Sequence, residues 1–168
     1  MTVVALDVVS HSNRLQSLAY SGTLLYNCHK EEFKKDMDLV IDTSAIIAVV
    51  ANEPEKVALI EQTQDATLHA PASLPWEVGN ALSAMLKRKR ITSDQATAAF
   101  RFYSQIPVRL INVDIGRALG HAARLGIYAY DAYMIRAAEE QGCPILTLDG
   151  GLIQVAKAVG ITVMEVKA

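Results

Sequence analysis

The stretch LVIDTSAIIAVV, residues 39–50, decides how the rest of the chain is read. Leu39, Val40 and Ile41 are apolar without alternation, the pattern of a strand covered on both faces, as in parallel sheets flanked by helices. The run ends in Asp42, after which Thr43 and Ser44 lead into a segment, 44–51, that reads as a helix. A carboxylate therefore stands at the C-terminal end of a buried strand, the edge of an open α/β sheet where ligands bind. Asp149 repeats the arrangement, closing the run Ile145, Leu146, Thr147, Leu148 and preceding Gly150 and Gly151.

Outward from these two points, apolar runs alternate with helical patterns, the signature of an α/β fold with a mainly parallel central sheet. Pro54 can open a second helix reaching about residue 64, and 67–70 is a short strand. From 74 to about 89, Val78, Ala81, Leu82, Met85 and Leu86 fall at helical spacing, with Ser73 as cap and Pro75 in the first turn. Thr92 and Gln95 form a capping-box pattern ahead of a helix carrying Ala96, Ala99, Phe100 and Tyr103. Residues 108–113 read as a strand, and Asp114 caps a helix that Gly126 stops. A helix beginning at Asp131 runs to Gln141 before Gly142. The strand 145–148, a helix over 150–159 stopped by Gly160, and a strand over 161–164 complete the order. Residues 1–36 carry no sustained period, so they read as an N-terminal extension, as an upstream start codon would produce, ahead of a core domain at 37–168.

At 168 residues and 51% hydrophobic, the chain fits one domain with a real core and is not disordered. No apolar run approaches the roughly 20 residues that span a bilayer, and the N-terminus lacks a secretory pattern, so a cytoplasmic location and no membrane partner are expected. Cys28 and Cys143 have no spacing that suggests zinc. With a net charge of -2, contact with phosphates must rest on a local patch. The densest basic run is Lys87, Arg88, Lys89 and Arg90, which either complements a helix C-terminus or touches RNA beside a site. His69 and His121 lack a partner at metal-ligand spacing, and His121 is expected on a solvent-facing helix surface.

Two further acids stand at helix starts. Glu77 lies one turn into its helix with Asn80 on the same face, and Asp131 follows Tyr130. Each acid has an ordinary structural explanation: capping or a tight turn for Asp42, Asp131 and Asp149, and the macrodipole for Glu77. Four at the same kind of position point to a shared site. Two carboxylates about 4 Å apart repel by roughly 4 kcal/mol at an effective dielectric of about 20, so a converged set calls for a divalent cation. A carboxylate suits Mg²⁺, and a hydroxyl such as Ser44 can steady it or a phosphate oxygen.

Together, LVIDTSAIIAVVANEPE, LPWEVGNAL and YAYDAYMIRAAEEQGCPILTLDGGL resemble the PIN domain, specifically the VapC-type toxin ribonucleases of bacterial toxin-antitoxin pairs, over about residues 37–166. The resemblance implies a three-layer α/β/α fold whose acid pocket binds Mg²⁺ or Mn²⁺. It places Asp42, Glu77 and Asp131 at the three core acidic positions, Asp149 at a more variable fourth, and Ser44 and Asn80 at supporting ones. It also implies an endoribonuclease that hydrolyses structured RNA, tRNA or rRNA, by metal-activated water. A homodimer is implied too, held inactive by an antitoxin whose tail reaches the acids. The helices over 54–64 and 92–105 could supply such surfaces. Residues 1–36 depart from the pattern, because these toxins usually begin at the first strand. The alternatives are a PIN-fold module that binds RNA or protein without cutting, against which the complete acid set counts, and a receiver-like domain. The latter needs a strand-end Lys and paired early acids that are not found here.

Overall fold

A computed structural model describes residues 37–166. Its elements run β1 (Met37–Ile41), α1 (Thr43–Val50), α2 (Lys56–Thr63), β2 (Ala66–Pro71), α3 (Leu74–Lys87), α4 (Ser93–Tyr103) and β3 (Val108–Ile111). They continue through α5 (Ile115–Leu125), α6 (Ala129–Gln141), β4 (Ile145–Leu146), α7 (Gly150–Ala158) and β5 (Val163–Met164). The strands form one parallel sheet in the order β3-β2-β1-β4-β5. The expected α/β architecture with a central parallel sheet is thus observed, and the extension read over residues 1–36 lies outside the described residues.

The unalternated apolar run of β1 follows from its place. It is central, pairing β2 through Val40 and His69 and β4 through Val40 and Ile145. Leu39 and Ile41 point into a core built with Ile46, Leu59, Leu74, Val78 and Leu82, from the helices α1 to α3. Val40 points the other way, into a core with Met134, Ile135, Ile145 and Leu152 from α6, β4 and α7. Successive strand residues face opposite sides, so one short strand needs apolar side chains at every position. These two cores make the three layers.

The chain steps from β1 to β2 to β3 on one side, then crosses back to place β4 and β5 on the other. Strand order therefore reverses between β1 and β4, and such a reversal opens a crevice beyond the strand C-termini. Asp42 follows β1 and the segment leading to Asp149 follows β4, so topology alone brings these two acids to one crevice.

Most local readings hold. The Thr92/Gln95 capping box is complete, Asp114 caps α5, and Gly126 and Gly142 end their helices at φ of +67° and +62°, where glycine avoids the Cβ penalty. Four details differ. Asp131 does not cap α6: Tyr128 is the N-cap, and Asp131 lies in the first turn. The Ser73 hydroxyl donates to Glu77 instead of accepting from a helix N–H. The run 145–148 is a strand only to Leu146, because the next N–H groups are taken by side chains: Leu148 donates to Ser44 Oγ and Asp149 to Thr147 Oγ1. His121 is half-buried, since its Nε2 lies 2.9 Å from Glu139 Oε2 on α6 and its Nδ1 faces Arg124. His69 is buried with Nε2 2.8 Å from Asp38 Oδ1. Among the described residues no helix is long and apolar enough to cross a membrane.

Candidate active site

The four acids stand at the N-termini of four helices. Asp42 is the N-cap of α1, Glu77 and Asp131 lie in the first turns of α3 and α6, and Asp149 is the N-cap of α7. A helix N-terminus presents unpaired N–H groups and the positive end of the macrodipole, which favours a carboxylate there. The structural and functional readings of these acids are therefore compatible. Helix starts are where this fold can hold clustered negative charge.

Asp42, only 8% exposed, has one oxygen fully committed. Its Oδ2 accepts from the Ser44 N–H at 3.1 Å, the Ser44 hydroxyl and the Thr147 hydroxyl at 2.8 Å, while no donor among the described residues reaches Oδ1. Glu77 is held at both oxygens, by the Ser73 hydroxyl at 2.7 Å and the Thr43 hydroxyl at 3.1 Å. Asp149 Oδ1 accepts from the Gly151 and Leu152 N–H groups at 2.7 and 3.0 Å, leaving Oδ2 without a donor among the described residues. No hydrogen bond among the described residues reaches the Asp131 carboxylate. Its pKa is raised above the ordinary aspartate value, first by burial and then by the charges of Asp149, Asp42 and Glu77. The four carboxylates thus share one electrostatic field.

Among the described residues none of the four forms an ion pair, so the field is not neutralised by a lysine or arginine there. No three His, Cys, Asp or Glu side chains there close on a single point, so the acids do not form a finished coordination shell. The donor set is all oxygen, which suits Mg²⁺ or Mn²⁺ and not zinc, and one oxygen each of Asp42 and Asp149 accepts no hydrogen bond among the described residues. These residues fit a hard divalent cation.

Asn80 lines a cleft with Thr43, Trp76, Glu77, Ala81 and Tyr130, enclosing about 260 Å³, and of the four acids Glu77 is the one that lines it. Ser44 braces Asp42 and does not stand among these lining residues. Lys87, Arg88, Lys89 and Arg90 are exposed at the far end of α3, about 15 Å along the axis from Glu77 at 1.5 Å per residue. The structure does not bring them into the cleft.

Sequence reading missed three hydroxyls that fix the acids: Thr147 on Asp42, and Thr43 and Ser73 on Glu77. Thr147 left one signal, a polar residue inside an apolar run two positions before Asp149. Replacing it with Val keeps its shape but removes both the donor to Asp42 and the acceptor for the Asp149 N–H. The expected loss is about 1–3 kcal/mol of stability in urea melts, from leaving buried polar groups unpaired. Activity should fall about 10–100-fold, as when a partner orienting a metal ligand is removed.

Comparisons with known proteins give the family and the fold. The PIN domain family model matches residues 39–158. Ribonuclease VapC3 of Pyrobaculum aerophilum is 30% identical over 123 residues, covering 70% of this chain and 94% of that protein. Two solved structures share the fold. VapBC2 from Rickettsia felis, bound to a DNA fragment from its promoter, has a TM-score of 0.56 at 14% identity, covering 77% of this chain and 98% of that one. Mycobacterium tuberculosis VapC20, a sarcin-ricin loop cleaving toxin, has a TM-score of 0.55 at 15% identity, covering 76% and 98%. With the family model spanning most of the chain and the acids gathered at the sheet's switch point, the chain belongs to the PIN-domain family, among its VapC-type ribonucleases.

Proposed function

We propose that the chain is a Mg²⁺-dependent endoribonuclease toxin of a toxin-antitoxin pair, with Mn²⁺ as the other ion its donors suit. The observation that carries this is the shared field of Asp42, Glu77, Asp131 and Asp149 at the switch point, without a cationic side chain to neutralise it among the described residues. A divalent ion bound there would polarise the phosphodiester and lower the pKa of a water for in-line attack. The protein's own part is positioning. Asp42 is locked through Oδ2, which leaves Oδ1 without a donor among the described residues, and Glu77 is clamped between two hydroxyls. Asp149 offers Oδ2 while its other oxygen caps α7. Asp131 has no hydrogen bond among the described residues, and burial with the neighbouring acid charges raises its pKa above the ordinary aspartate value.

Water as nucleophile requires no RNA 2′-hydroxyl, so the preference for RNA rests on the relatives. VapC3 is named a ribonuclease and VapC20 cleaves the sarcin-ricin loop, which supports a structured RNA, tRNA or rRNA, as substrate. An antitoxin partner, a homodimer and a cytoplasmic location complete the reading.

The run Lys87 to Arg90 is exposed, which supports it as a contact for RNA phosphates beyond the cleft. Replacing all four with Gln should flatten the slope of log K against log salt by up to about 3, at roughly 0.7 per single-strand phosphate contact. Unchanged slopes in filter-binding titrations would make the run a solvated helix end.

The function is tested by brief expression in cells with mapping of RNA ends. Discrete new ends with the intact chain, absent with Asp42→Asn, are expected. Identical ends with both proteins would refute the proposal.

A further inference from the structure

Two large aromatic side chains stand in water immediately before two of the acids. Trp76, the only tryptophan of the chain, is 75% exposed and precedes Glu77; Tyr130 is 52% exposed and precedes Asp131. Both line the cleft that holds Glu77, and both also line a groove of about 700 Å³. The groove's other walls include Ile111, Val113, Ile115 and Tyr133, with the Asn112 amide as a polar group among them. Its volume falls within the range of about 300–1,000 Å³ of small-molecule sites. Tyr133 braces Tyr130 edge-on, with ring centroids 5.9 Å apart at 89°.

An occupant of both spaces must carry a phosphate-like group at the acids and a flat apolar body with a hydrogen-bonding edge beyond the aromatic wall. A nucleotide has both parts. We propose that the groove receives the unpaired base next to the scissile phosphate, stacked against Trp76 and Tyr130, with the Asn112 amide facing its edge. This rests on the reading of the acids as a nuclease centre, and adds that the RNA must be single-stranded or splayed open where it is cut. A paired base inside a helix cannot enter. A protein segment would also cover apolar walls, and the duplex and abasic arms of the test separate it from a base.

Because Trp76 is the sole tryptophan, its emission reports the groove directly. The 168-residue chain in Mg²⁺ is mixed with a short single-stranded RNA, with the same RNA as a duplex, and with an abasic oligomer. Binding is followed separately by anisotropy of end-labelled RNA, and cleavage by gel. The single strand should quench Trp76, while duplex and abasic oligomers should not. Trp76→Ala should raise KM about 10-fold, the loss of one base stack, with kcat little changed, and Trp76→Phe should recover most of it. At 75% exposure the substitution leaves the core intact, and an unchanged melting temperature verifies this. RNA that is bound and cut without quenching, or Trp76→Ala with an unchanged KM, overturns the base groove and leaves it to a protein segment, with the nuclease reading intact. A chain that neither binds nor cuts any RNA overturns both.

Discussion

Asp42→Asn lowers RNA cleavage by about 10³-fold, the upper end of what removal of one preorganised electrostatic group costs, while the fold survives. The amide keeps an oxygen that can accept from Ser44 and from the buried Thr147 hydroxyl, so the link between α1 and the end of β4 is retained. Asp42→Ala should lose the same activity and also about 1–3 kcal/mol of stability, because Thr147 is left without its acceptor. Comparing the two variants by cleavage rate and urea melting separates the charge of Asp42 from its structural role. Equal destabilisation by both would mean that the fold depends on the charge itself.

Asp131→Asn abolishes cleavage to a similar extent, yet it should raise the melting temperature by a few degrees at neutral pH. Burial and the charges of Asp149, Asp42 and Glu77 raise the Asp131 pKa in the fold, so ionising it costs more in the native state than in the unfolded chain. The relative stability from a protonated Asp131 is therefore fully present below the ordinary aspartate range and lost as pH rises through the raised folded value. Above the raised folded value the intact chain carries this penalty and the Asn variant does not. The variant's advantage should shrink as pH falls and vanish below the ordinary range. Saturating Mg²⁺ should narrow it at neutral pH, since ligand at about 100 times Kd adds about 2.7 kcal/mol to the form that binds it. A variant that melts lower than the intact chain at neutral pH would show that the acids do not repel one another as described.

What was legible in the sequence was local. β1 ends in Asp42 because the unalternated Leu39-Val40-Ile41 run stops at a carboxylate followed by hydroxyls, and Gly126 and Gly142 mark helix ends through their positive φ. The start of α6 was placed two residues late because its N-cap, Tyr128, makes no side-chain capping bond, so no cap residue announces it. Ser73 is the N-cap of α3 as read, but its hydroxyl donates to the Glu77 carboxylate, a charged acceptor that makes the stronger hydrogen bond, and makes no capping bond to a helix N–H. Thr147 was invisible because its bond to Asp42 joins residues 105 positions apart, and only the adjacency of β1 and β4 brings them together. The same adjacency turns separate helix-start acids into one field, something no window of sequence contains. The groove shared by Trp76 and Tyr130 is likewise a product of α3 and α6 meeting.

The most direct measurement is cleavage of labelled RNA by the purified 168-residue chain after stripping with EDTA. The expected result is no cleavage until Mg²⁺ or Mn²⁺ is added, its loss again on returning EDTA, and its absence from Asp42→Asn under every condition. Cleavage that persists in EDTA, or that Asp42→Asn retains, would show that the four acids are not the catalytic metal pocket.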